Sequence, residues 1–178
     1  HDALPISIYP LLIEGTKGMD GLGTVAPRNL SSFCGQLVNL TFLLSAQCKG
    51  AVAFGEFFNF LDYFCAKDFG TNYNEKAYRI EASSFPQRKI VDAIHQAYQQ
   101  IVYGWNQPAG NRSYQSPFTN ISYYDENYWH ALFDEFYFPD GTQPKWERVN
   151  WLQKDFMQWF NTERTKTLLT FPVETVAL

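Results

Sequence analysis

Apolar residues recur at steps of 3, 4, 3 and 4 from Leu30 through Phe33, Leu37 and Leu40 to Leu44. That spacing lines one side of a helix and predicts a seam packed at a shallow angle against a second helix. Pro27 and Asn29 mark its start, with Asn29 or Ser31 as the N-cap. Phe54, Phe57, Phe58, Leu61 and Cys65 predict another helix from about Ala51 to Lys67, broken by "KDFGTNYN". Ile90, Ile94, Ala97, Ile101 and Trp105 form the stripe of a third, over Pro86 to Trp105. The period then changes. "QSPFTNISYYD" alternates strictly, so Phe118, Asn120, Ser122 and Tyr124 share one face of a strand and Thr119, Ile121 and Tyr123 the other. A short helix near Asn127 to Phe136 follows, then turn residues in "FPDGTQP". A last helix covers Lys145 to Arg164, with Val149, Leu152, Phe156, Trp159 and Phe160 on one side. "TKTLLTFPVETVAL" reads as a second strand, interrupted by Pro172 as at a bulge or a barrel rim.

Two strands joined by a helical crossover of about forty residues are expected to be parallel, which makes the fold class α/β. Two such strands need further partners. The first of them carries polar groups on a face that in a buried parallel strand is apolar. Either that face is an edge in solvent or it meets a polar cavity. Flanking helices and Pro117 at the strand's start favour the cavity. Residues 7–28 read as an irregular, Gly-rich loop, and His1 to Ile6 are set aside as an assembly scar. The strand-like run up to Leu178 ends without turn or cap, so the chain is expected to be a piece of a longer protein.

The 178 residues suffice for one domain, and 46% hydrophobic content argues against disorder. Aromatic residues reach 18%, which calls for a large core or a shared one. A net charge of -4 argues against nucleic-acid binding. No apolar run is long enough for a membrane span. Cys34, Cys48 and Cys65 form no CxxC pair and read as buried thiols of a reduced, cytoplasmic protein, so no metal site is assigned. Asn-x-Ser/Thr triplets at Asn29, Asn39, Asn111 and Asn120 are discounted, since two sit in helix or strand. His95 reads as a surface or interface residue and His130 as a packed one. Asp134 and Glu135 are adjacent on a helix and make a weak carboxylate pair.

Three blocks, "SSFCGQLVNLTFLLSAQCKGAVAFGEFFNFLDYF", "WNQPAGNRSYQSPFTNISYYD" and "NTERTKTLLTFPVETVAL", resemble anaerobic (class III) ribonucleoside-triphosphate reductases, in family order, over nearly all of Ser7 to Leu178. The resemblance implies a fragment of a ten-stranded α/β barrel of the glycyl-radical type. It divides the chain into a helical dimer-interface and effector region over 7–110 and the first part of the barrel over 111–178. It also implies a homodimer, ribonucleoside triphosphates as substrates and ATP or deoxynucleotides as effectors. A glycyl radical on a C-terminal segment, installed by an S-adenosylmethionine/iron–sulfur activase, and a zinc site would lie outside these residues. On this reading Asn120 and Ser122 point at the ribose or its phosphates, with Thr119 as a rival and Glu174 as the ionised residue of the later strand. Arg28, Asn29 and Gln36 are the effector-binding candidates, Arg28 by charge and the helix start by its dipole. No catalytic residue is assigned within the chain, and the piece alone is expected to be inactive.

A formate-lyase-type glycyl-radical enzyme is the near rival, distinguished by lacking an effector site at the first helix pair. An aromatic-rich secreted binding module, resting on ring content and the four triplets, is the rival from another class.

Overall fold

The computed structural model describes residues 4–15, 24–47, 50–78, 85–108 and 115–178. Cys48 and Asn111 lie outside the described residues. Four strands pair side by side in sequence order, β1 (Leu4–Pro5), β2 (Val52–Phe54), β3 (Thr119–Tyr124) and β4 (Val173–Ala177), each parallel to its neighbour. The helices are α1 (Tyr9–Glu14), α2 (Leu30–Gln47), α3 (Phe57–Phe69), α4 (Tyr73–Tyr78), α5 (Phe85–Trp105), α6 (Glu126–Phe133) and α7 (Trp146–Arg164).

The parallel relation of the two expected strands holds. Two further strands, β1 and β2, extend the described sheet. The helix expected from Ala51 to Lys67 begins only at Phe57. Val52 to Phe54 instead form β2, because Val52 N donates to Phe118 O at 2.8 Å and the strand fits between β1 and β3. The apolar run from Val52 to Phe58 suits a buried strand and a buried helix equally. Leu4 and Pro5, set aside on the sequence, pair with Val52 and Ala53. Tyr9 to Glu14, expected to be irregular, form α1 with proline in its first turn.

One face of the sheet is buried and the other is not. Along β3, Thr119, Ile121 and Tyr123 are buried while Asn120, Ser122 and Tyr124 are half-buried. Val52 and Phe54 continue the buried face and Ala53 the open one. Rings fill the space between the buried face and the helices. Phe54 stacks on Trp105 of α5 with centroids 5.8 Å apart, and Phe58 of α3 lies 5.3 Å from Tyr123. Phe156 of α7 meets Phe57 at 5.9 Å and Tyr98 at 4.9 Å, both edge to face. The seam of α2 is as expected, with Leu30, Phe33, Leu37 and Leu40 buried. Trp105 Nε1 donates to Thr41 Oγ1 at 2.9 Å, which gives the buried indole the partner it needs.

A buried ion pair joins α3 to α7. Arg148 donates from Nε to Asp62 Oδ1 at 2.6 Å and from Nη2 to Oδ2 at 2.9 Å, and the Asp62 side chain is 0% exposed. Tyr73 Oη and Lys145 N donate to the same carboxylate. These four hydrogen bonds offset the cost of taking the charge from water. Replacing Arg148 by Met leaves that carboxylate unpaired, so unfolding in denaturant is expected to show a loss of about 3–5 kcal/mol. The double variant Asp62→Leu/Arg148→Met is expected to lose less, and an equal or larger loss in the double variant would show that the pair does not act as a unit.

Close approach also sets the crossing of α2 and α5. A Cβ at Gly104 would stand 2.8 and 2.9 Å from the two methyls of Val38. Gly104→Ala is therefore expected to cost about 1–3 kcal/mol, recovered in part by adding Val38→Ala. The thermal midpoints of the two variants check this.

Candidate functional site

The open face of the sheet collects small and polar side chains. Ala53, Asn120, Ser122 and Thr175 point to the same side, because parallel neighbours in register share a face. Asn120 Nδ2 donates to Thr175 Oγ1 at 2.9 Å across the β3–β4 boundary. Thr175 Oγ1 also stands 3.3 Å from Asn120 Oδ1, so the amide links two strands on this face through both of its ends while its second donor stays available to a further partner.

Thr119 and Glu174 occupy the opposite face. Thr119 is 1% exposed beneath the helices. Glu174 accepts from Tyr123 Oη at 2.5 Å and pairs with Arg164 Nη1 at 3.0 Å. The Arg164 guanidinium in turn lies 4.0 Å over the Phe160 ring. Burial first, and then the Glu174 carboxylate, push the Tyr123 phenol far up, so it remains a donor. The four substrate-facing candidates therefore divide into Asn120 and Ser122 on the open face, and Thr119 and Glu174 on the helix side.

At the carboxyl end of β3, Gln153 of α7 clamps the strand. Its Oε1 accepts from Tyr124 N at 2.9 Å and its Nε2 donates to Tyr124 O at 3.2 Å. Tyr124 Oη donates to Gly55 O at 3.1 Å, which ties this end to the one after β2. Asp125 caps α6 by accepting from Tyr128 N at 2.7 Å. Gln153 falls on the apolar side of α7, four residues after Val149 and three before Phe156, so the sequence places it inward while its backbone partners on β3 leave no local mark.

The effector candidates fall at the start of α2. Asn29 is its N-cap, with Oδ1 accepting from Ser32 N at 2.8 Å and Ser32 Oγ accepting from Arg28 N and Asn29 N. Asp68 Oδ2 accepts from Leu30 N at 2.8 Å, so a carboxylate already stands at the positive end of this helix. Gln36 donates from Nε2 to Val25 O at 2.8 Å. Arg28 is exposed and borders a cavity of about 530 Å³ with Leu12, Tyr63, Lys67 and Asp140. Of the three, Arg28 alone is turned to a cavity by charge, while Asn29 and Gln36 are engaged in holding the backbone. Asn29→Ala is expected to cost about 1 kcal/mol of stability by removing the cap, read as a shift of the denaturation midpoint at unchanged slope.

Cys34 and Cys65 are free and buried. Burial pushes the Cys34 thiol up to about 12 and raises that of Cys65 well above the usual thiol range, so neither is a ready thiolate. Among the described residues no group of three or more His, Cys, Asp or Glu is placed to hold a metal ion. Nor is any described helix long and apolar enough to cross a membrane. His95 Nε2 pairs with Asp155 at 3.0 Å between α5 and α7, and the His130 ring is bonded to Asp134 one turn on.

The family model for anaerobic ribonucleoside-triphosphate reductase matches residues 3–178, and the chain belongs to that family. Among solved structures, the chain is similar to the anaerobic ribonucleotide reductase from Thermotoga maritima in complex with dATP and CTP. The identity is 29% and the TM-score 0.80, over 98% of this chain and 27% of that one. The same enzyme with dATP bound in the specificity site gives 29% and 0.79, over 97% and 28%. A further anaerobic ribonucleotide reductase gives 30% and 0.80, over 97% and 25%. The chain thus spans about a quarter of the length of the structures it matches. Comparison with curated proteins gives no match.

Proposed function

We propose that this chain is a segment of an anaerobic reductase that converts ribonucleoside triphosphates to deoxyribonucleoside triphosphates, and that its open sheet face lines the substrate cavity. Family membership and the similarity to an enzyme solved with CTP support the substrate class. The observation that carries the assignment to this face is the Asn120–Thr175 contact, a polar pair on the side of a parallel sheet that the helices leave uncovered. A face of this kind is what the inner wall of a closed barrel presents, and the ten-stranded barrel is the architecture that would cover it.

On this reading Asn120 and Ser122 bind and orient the nucleotide, while Thr119 and Glu174 brace the wall from behind. Arg28, with Lys67 across the same cavity, is the cationic pair for an effector nucleotide near α2. The deoxynucleotide effector is supported by the related enzyme solved with dATP in its specificity site. The α2 and α5 region would contribute to a homodimer. The glycyl radical, the S-adenosylmethionine/iron–sulfur activase that installs it and the zinc site belong to parts of the enzyme other than these residues. The cytoplasm is the expected compartment.

In the full-length reductase carrying this segment, Asn120→Ala is expected to raise the KM for the ribonucleotide about tenfold, the equivalent of one or two hydrogen bonds. Effector affinity should stay unchanged. An unaltered KM would refute the cavity assignment.

A further inference from the structure

One residue outside the sheet bonds directly to the approach to β4. Asn106, just past the end of α5, uses its whole side-chain amide on two other backbone segments. Nδ2 donates to Val102 O at 2.7 Å and to Phe171 O at 2.6 Å. Oδ1 accepts from Thr170 N at 2.9 Å and from Phe171 N at 3.0 Å. Two donors and two acceptor sites are the full capacity of an asparagine amide. Its backbone oxygen also accepts from Ser116 Oγ at 2.9 Å, on the approach to β3. A single residue therefore holds the approaches to both β3 and β4 against the end of α5.

The approach to β4 is also anchored by the buried side chains of Leu169 and Phe171, the latter edge to face on Phe118 at 4.9 Å, but its directional bonds to the helices are those of Asn106. Leu168 is 91% exposed, and β4 has β3 as its one neighbour in the described sheet. Thr170 and Phe171, held by three of the four side-chain bonds, stand just before Val173, the first residue of the β3–β4 register. Register matters more here than stability. A slip of one residue exchanges the two faces of a strand. It would carry Thr175 away from Asn120 and bring the Glu174 carboxylate onto the open face. An anionic group there would repel a nucleoside triphosphate.

We propose that Asn106 is a positioning residue for substrate binding: it fixes the register of β4 so that Thr175, and not Glu174, stands beside Asn120 on the open face. This rests on the cavity assignment of that face, and the test separates the two. In the full-length reductase, Asn106→Leu removes all four side-chain bonds at similar volume. Hydrogen exchange of the amides of 173–177 is expected to quicken about tenfold or more, with those of β2 unchanged. The KM for the ribonucleotide is expected to rise about tenfold with kcat within about twofold, a split that general loss of folded enzyme does not produce. Should Asn106→Leu fail to fold, Asn106→Asp keeps both acceptor sites and loses both donors, and the same expectations apply. Unchanged exchange in β4 in the folded variant overturns the proposal. So does faster exchange with unchanged KM. In that case Asn120→Ala reports separately whether the open face binds substrate at all.

Discussion

The structure depends on a parallel sheet that is covered on one face only. Parallel strands in a doubly wound sheet carry helices on both sides and read as continuous apolar runs. β3 does not. Its side chains alternate between buried and half-buried along the whole strand; Phe58 of α3 covers its buried side at Tyr123, Trp105 of α5 covers the same side of β2 at Phe54, and Phe156 of α7 packs on Phe58 behind them. One-sided cover leaves the second face to meet something else, and that face carries the small or polar Ala53, Asn120, Ser122 and Thr175 beside Tyr124 and Val173. The interior of a closed sheet meets both conditions, and the alternation of β3 is the feature on which the proposed barrel wall rests.

The cover itself is an aromatic layer with a few fixed polar points. Ring packing is adaptable in geometry, since edge-to-face and offset contacts differ little in energy. Directional bonds supply the uniqueness that rings alone do not. Trp129 Nε1 reaches Asn59 on α3, Trp105 Nε1 reaches Thr41 on α2, and Asp62 gathers Arg148, Tyr73 and the start of α7. Each of these joins two elements, and each leaves a misplaced helix with an unsatisfied buried group, at about 1–3 kcal/mol for a neutral one. Gln153 and Asn106 extend the same device from helix to strand, one at the carboxyl end of β3 and the other at the approach to β4.

Periodicity made the long elements legible. The stripes over Leu30 to Leu44 and Val149 to Phe160 match buried faces, apart from partial exposure at Leu44 and Trp159, and the alternation from Thr119 to Tyr124 matches the buried and half-buried faces of β3. It failed at Val52 to Phe54, where three residues are too few to show a period and the following Phe-rich helix absorbs them into its own pattern. The two candidates on each side of β3 could be sorted into faces but not assigned to helix or cavity, because alternation has no sign. Thr119 shows the limit: a polar residue beneath helices looks, in sequence, like one that faces a ligand. Asn106 and Gln153 were missed for another reason. Their partners are backbone atoms 65 and 29 residues away, and such bonds leave no local signature.

The charge distribution bears on which part of a nucleotide the open face can hold. Ala53, Asn120, Ser122 and Thr175 carry no charge. The strand ends nearest to it are acidic. Glu56 follows β2 and accepts from Ser7 Oγ and Ile8 N, and Asp125 follows β3 as the α6 cap. A carboxylate at each of these helix starts cancels the positive end that would otherwise attract phosphate. Neutral amide and hydroxyl groups contribute about 0.5–1.5 kcal/mol per hydrogen bond, which is enough to orient ribose hydroxyls and far too little to desolvate a triphosphate. Under the proposed cavity assignment, the ribose is thus the better fit to Asn120 and Ser122 than the phosphates, and cations for the phosphates would come from elements other than these four strands.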